Sequence, residues 1–164
     1  MIHEVAGDIL LSRAHAIAHG VSPSDDFHQG LALRLREQWP ALYSDFRHWC
    51  KTRHAEPGEL FAWAGADGRH IINLLTQEPP AHAGAHPGRA SVKHVGHALK
   101  ALPKLVVAEK ITSLALPRLA TGVGGLDWNE VEPLITQHLG DLGIPVVVYT
   151  TYHPGVAATE PLGA

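Results

Sequence analysis

Leu114-Ala-Leu-Pro-Arg-Leu-Ala-Thr-Gly-Val-Gly-Gly-Leu-Asp-Trp128 decides how the rest of the chain is read. An apolar, strand-like run ends at Pro117, a glycine-rich loop follows, and Asp127 stands where it can cap an amphipathic helix over 128–139. A strand, a flexible loop and a helix N-terminus together favour an anion. Free backbone N–H groups and the positive end of the helix dipole converge there, and glycines let the main chain approach without a Cβ in the way. No Gly-Lys-Ser/Thr follows, so this is not a Walker loop. Gly122-Val-Gly124 runs on into Gly125, Leu126 and Asp127, so the third glycine of a dinucleotide fingerprint is misplaced. The alternative is an ordinary strand-to-helix turn.

Outward from that loop, strands and helices alternate. Strands are expected at 2–5, 14–21, 60–64, 70–76, 113–116 and 145–150. Helices are expected at 30–39, 42–51, 90–102 and 128–139, with Pro103 breaking or restarting the third. Residues 78–88, rich in proline and glycine, read as a loop. The pattern implies an α/β layered fold around a mixed sheet. Residues 1–153 read as one domain and 154–164 as a flexible tail.

The chain has 164 residues, 45% of them hydrophobic, and a formal net charge of −3 without any block of Lys or Arg. This balance argues against nonspecific nucleic-acid binding. No apolar run approaches the about 20 residues of a membrane span. The N-terminus lacks signal-peptide character, and the one cysteine, Cys50, allows no intrachain disulfide, so a cytoplasmic monomer is expected. The 13 histidines are scattered. His82, His86, His94 and His97 raise the idea of a metal-binding interaction module, but the proline and glycine around the first two oppose a helical ligand pair. No metal and no cofactor is expected.

Pro117-Arg-Leu followed by Gly122-Val-Gly-Gly-Leu-Asp-Trp128 resembles the phosphate loop of macrodomains, the ADP-ribose-binding modules. Val5-Ala-Gly-Asp-Ile-Leu10 resembles their opening. His19-Gly-Val-Ser22 and Phe27-His-Gln-Gly-Leu-Ala32 resemble the first ligand loop and its helix. Ile71-Ile-Asn-Leu-Leu-Thr76 and Val146-Val-Val-Tyr-Thr150 resemble inner and final strands. The ordered set covers residues 2–151. It is most similar to the branch holding the terminal ADP-ribose protein glycohydrolase and the DNA ADP-ribosyl glycohydrolase antitoxins.

The resemblance implies a three-layer α/β/α sandwich that binds ADP-ribose, with ADP-ribosylated protein or DNA as partner. Asp8 would accept from the adenine amino group and the Ile9 N–H would donate to a ring nitrogen. The plainer role of Asp8 is a turn or cap. Ser22 would bond the distal ribose or a phosphate, or merely cap. Gln29, Gly30 and Ala32 would line the distal ribose, with Thr76 beside it. Arg118, Leu119, Ala120, Thr121, Gly122, Val123 and Gly124 would wrap the diphosphate, Arg118 through its backbone more than its guanidinium. Thr151 and Tyr152 would cover the adenine or the sheet edge.

Hydrolase relatives carry a lysine directly after the strand that ends here at Leu75-Thr76, and this chain has Gln77. Where the protein glycohydrolase has an acidic residue in the phosphate loop, this chain has Gly124. Glutamine can orient a water or a ribose hydroxyl but forms no Schiff-base-type adduct. The expectation is therefore a hydrolase without the lysine nucleophile, or an ADP-ribose reader without chemistry. Asp25, Asp26 and Glu78 flank the site as loop carboxylates, and Lys93 is not expected to reach in. The loop 78–88 would border the distal-ribose end.

Overall fold

The computed structural model describes residues 2–82, 85 and 87–163. His86 and its place in the metal idea lie outside these residues. The strands are β1 (Ile2–Gly7), β2 (Ala16–Val21), β3 (Leu60–Ala64), β4 (His70–Leu75), β5 (Leu114–Pro117) and β6 (Val146–Tyr152). The helices are α1 (Gly30–Gln38), α2 (Pro40–Arg53), α3 (Val92–Ala108) and α4 (Trp128–Leu139). The sheet order is β1-β6-β5-β2-β4-β3. Of these strands only β3 pairs antiparallel, on β4 at the sheet edge.

Alternation along the strands builds two cores. Ala16, Ala18, Ile72, Leu74, Val146 and Val148 face one way, against Leu99, Leu102 and Val106 of α3 and Val131 and Ile135 of α4. Ile17, Val21, Ile71, Leu75 and Val147 face the other, against Leu35 of α1 and Leu42, Phe46 and Cys50 of α2. Helices therefore cover both faces, which makes the three-layer α/β/α sandwich.

Three local expectations are corrected. α3 runs straight through Pro103. The ring leaves the Leu99 carbonyl without its usual donor, but Val95, Leu99, Leu102 and Val106 bury one continuous stripe that outweighs the lost bond. β6 extends to Tyr152, so Thr151 and Tyr152 belong to the strand rather than following it. The extra residues pair with Ala6 and Gly7 across an irregularity in register.

Finally, the chain after Pro154 is anchored. The Asp8 N–H donates to the Val156 carbonyl at 2.7 Å. Glu160 accepts from Ser12 Oγ at 2.6 Å, the Arg13 N–H at 2.8 Å and the Tyr149 hydroxyl at 2.7 Å. Ala158 and Leu162 pack on the second core. Small and polar composition suggests a loose tail, and these bonds to the start of the chain are what hold it down.

Candidate functional site

β2 and β5 are neighbours, yet β2 leads into α1 on one face and β5 into α4 on the other. Such a point of divergence opens a crevice at the carboxyl ends of parallel strands. Two hollows lie there side by side, of about 240 Å³ and about 290 Å³, with Gly30, Leu31 and Pro117 lining both.

The larger group of expected residues meets in the first hollow. Gln29, Gly30 and Ala32 come from the start of α1, Gln77 from the end of β4, and Arg118, Ala120, Gly122, Val123 and Gly124 from the loop after β5. That loop is self-bonded, with the Leu126 N–H donating to the Ala120 carbonyl and the Gly125 N–H to the Gly122 carbonyl. Ala120 adopts a left-handed φ of 62° and Gly125 one of 77°. The Ala90 N–H, just before α3, donates to the Gly124 carbonyl at 3.0 Å and ties loop to helix. Asp127 caps α4. The Arg118 guanidinium lies over the Trp128 ring, 5.6 Å from its centroid.

Ile9 and Tyr152 line the second hollow with Arg34 and Tyr149. Ser22, Leu119, Thr121, Thr76, Asp8 and Thr151 line neither hollow. Ser22 is buried and bonds Asp25 through both its N–H and its hydroxyl. Leu119 sits in the core below the loop. The Thr121 hydroxyl donates to the Arg118 carbonyl at 2.9 Å. The Thr76 hydroxyl is buried without a partner among the described residues, against Gly20, where a Cβ would stand 2.7 Å from Oγ1.

Asp8 takes the plainer of its two expected roles, capping the short helix Ile9–Leu11 by accepting from the Leu10 N–H at 3.1 Å. Arg34 Nη2 donates to both carboxylate oxygens, at 2.9 and 2.8 Å, and the Gly155 and Leu10 N–H groups add two more bonds. Burial alone would raise this carboxyl. The Gly155 N–H, Arg34 and the Leu10 N–H outweigh burial and hold it below the usual carboxylate range. The same guanidinium lies 5.0 Å from the centroid of the Tyr152 ring. Arg34 thus joins the start of the chain to the end of β6, a role not expected from the sequence.

Two titratable side chains on the first hollow also stand out. His19 Nε2 lies 2.6 Å from Asn73 Oδ1, and burial lowers the ring from 6.5 to about 4 against the opposing pull of that hydrogen bond. Asp25 is raised by burial despite accepting from the Ser22 and Phe27 N–H groups. Elsewhere, His94 pairs with Glu78 at 3.1 Å. Among the described residues no three His, Cys, Asp or Glu side chains converge as metal ligands, and no helix is long and apolar enough to cross a membrane.

The fold is that of a macrodomain. More particularly, the chain is homologous to the DNA ADP-ribosyl glycohydrolases. It is 30% identical over 159 residues to a DNA ADP-ribosyl transferase–DNA ADP-ribosyl glycohydrolase fusion protein of Thermosipho africanus, covering 88% of this chain and 40% of that protein. The solved macrodomain of Thermus aquaticus DarG superposes with a TM-score of 0.79 at 28% identity, covering 92% of this chain and 98% of that one. The structure of Thermosipho africanus DarTG in complex with ADP-ribose gives a TM-score of 0.78 at 26% identity, covering 95% of this chain and 42% of that one. The chain thus spans about 40% of the length of the first curated relatives it matches. No protein-family model matches it.

Proposed function

We propose that the protein binds ADP-ribose and hydrolyses it from modified DNA or protein. The observation that carries this reading is the adjacent pair of hollows at the β2/β5 divergence, with the glycine loop lining the first and Arg34 and Tyr152 the second. A diphosphate fits the loop, an adenine fits the tyrosine and guanidinium end, and the distal ribose falls beside Gln77. The glycohydrolase activity of the relatives and the ADP-ribose complex support the same assignment.

Gln77 replaces a lysine nucleophile with a group that can only orient. Its backbone forms a bridge with Ala90, and its Nε2 donates to the Gly88 carbonyl at 2.9 Å. The amide is thereby fixed, and Oε1 is left as the acceptor for a water or a ribose hydroxyl. Water then attacks the anomeric carbon directly, through an oxocarbenium-like transition state.

The test is release of free ADP-ribose from mono-ADP-ribosylated single-stranded DNA and from mono-ADP-ribosylated protein, followed by mass spectrometry, with calorimetry for binding. The wild type should release ADP-ribose from at least one substrate. Gln77→Ala should lower turnover about tenfold or more while leaving the ADP-ribose Kd within about threefold. Binding without release in the wild type would make the protein a reader. No binding would overturn both readings.

Gly124 gives a second expected outcome. A Cβ there would stand 2.6 Å from the Ala120 carbonyl oxygen and 2.9 Å from Ala90 Cβ. Both neighbours are backbone or rigid, so the loop itself must shift. Gly124→Ala should weaken ADP-ribose binding about tenfold or more by calorimetry. Gly124→Asp should not restore the acid of a relative, because the same contact displaces it. Wild-type affinity in Gly124→Ala would show that the loop moves without cost.

A further inference from the structure

β2 and β4 run parallel with His19 and Asn73 as direct register partners, so the pair is built by the sheet and not by a loop. Asn73 Nδ2 donates to the Phe61 carbonyl on β3 at 3.0 Å, which assigns Oδ1 as the atom facing His19. At 2.6 Å from that acceptor, His19 Nε2 carries the imidazole proton. Nδ1 is then the bare acceptor of a neutral ring. The Phe27 ring stands edge-on at 5.6 Å and 84°, so the imidazole plane is fixed as well. His19 belongs to the wall of the hollow that also holds Gln77.

We infer that His19 Nδ1 is the base that takes the proton of the attacking water, with Asn73 as its positioning residue. This rests on the hydrolase reading and names the proton acceptor that reading lacks. The water oxygen bonds to the anomeric carbon as the bond to the leaving group breaks, its electron pair departing on that group. The water proton passes to Nδ1 and then to solvent. An ester-linked ADP-ribose leaves a carboxylate that needs no proton, and a nucleobase nitrogen takes one from solvent.

The other titratable groups on the wall are poorer candidates. The Asp25 oxygens are taken by the Ser22 N–H, the Ser22 hydroxyl and the Phe27 N–H, which make it the staple of its own loop. Arg118 stays protonated. Burial and Asn73 are the influences on His19, and Asp25 and Arg118 are the charged groups that share its cavity. A ring lowered to about 4 is neutral across the physiological range. It has the basicity of a carboxylate, which suffices where bond breaking runs ahead of attack.

Two variants test this. His19→Phe keeps an aromatic ring at the edge contact with Phe27 and removes both ring nitrogens. It should lower kcat about a hundredfold while holding the ADP-ribose Kd within about threefold. Should it fail to fold, His19→Gln takes its place. Asn73→Asp puts a carboxylate on Nε2, so the acid limb of the kcat profile should move up by about one pH unit or more.

A purely structural pair would leave that limb where it is. Turnover of His19→Phe within about threefold of wild type, or an unmoved limb in Asn73→Asp, overturns the inference alone. If Asp25→Asn abolishes turnover while His19→Phe does not, Asp25 is the base. A wild type inert on both substrates removes the hydrolase reading and this inference with it.

Discussion

Phe27→Ala is expected to cost about 3–5 kcal/mol in urea denaturation, the usual range for emptying a buried aromatic site. The ring is wholly buried, with Phe46 at 4.9 Å and Tyr43 and His19 each at 5.6 Å. Its backbone holds a left-handed φ of 52°, and its N–H is tied to Asp25 Oδ1 at 2.9 Å. The surroundings include strands of the sheet and α2, which cannot close over the void. Because Phe27 seats the loop between β2 and α1, ADP-ribose binding should weaken alongside stability. A loss below about 1 kcal/mol would show that the loop, not the ring, holds this corner.

Acidification from pH 7 to pH 4 is expected to remove about 3 kcal/mol of stability through His19, at about 1.4 kcal/mol for each pH unit separating its folded and unfolded titrations. In the unfolded chain the imidazole titrates at the ordinary 6.5, and in the folded chain at about 4. Between these values the unfolded state binds more protons, so stability falls as pH falls. It is fully present above 6.5 and progressively lost below. His15 is lowered as well, by burial, His70 and Arg69, and contributes with the same sign. Denaturant unfolding of wild type and His19→Phe at several pH values isolates His19. The variant should be less sensitive to acid by about the stated amount, and parallel curves would show that the imidazole titrates alike in the native and unfolded states.

The layered architecture was legible because it rests on local signals. Strand runs such as 70–75 and 146–149 are mostly apolar, and α4 begins after a capping Asp127. α3 defeated its local signal, since the proline rule yields when a long apolar stripe is buried. The glycine loop and the start of α1 meet on one hollow, and small residues beside a helix start carry that information locally. The capping role of Asp8 was legible, but its ion pair was not, because Arg34 lies 26 residues away and only the fold puts the guanidinium on its oxygens. In the sequence His19 is one more residue of a buried strand. Its tautomer depends on Asn73, 54 residues on, and on the carbonyl of Phe61 beyond that. Hydrogen-bond chains across three strands leave no trace in spacing along one of them.

The anchoring of residues 153–160 onto the beginning of the chain has a consequence for the order in which the protein matures. Among the described residues β1 pairs with β6 alone, Gly7 and Asp8 bond His153, Gly155 and Val156, and Ser12 bonds Glu160. During synthesis from the N-terminus, the first strand therefore waits for the last one, and the second hollow closes only once β6 has been made through Tyr152. Elements from β2 to β5 can assemble earlier, with the glycine loop already in place. A nascent chain would thus form the glycine-loop wall of the crevice before the wall that holds Tyr152, and the complete crevice would mark completion of the domain.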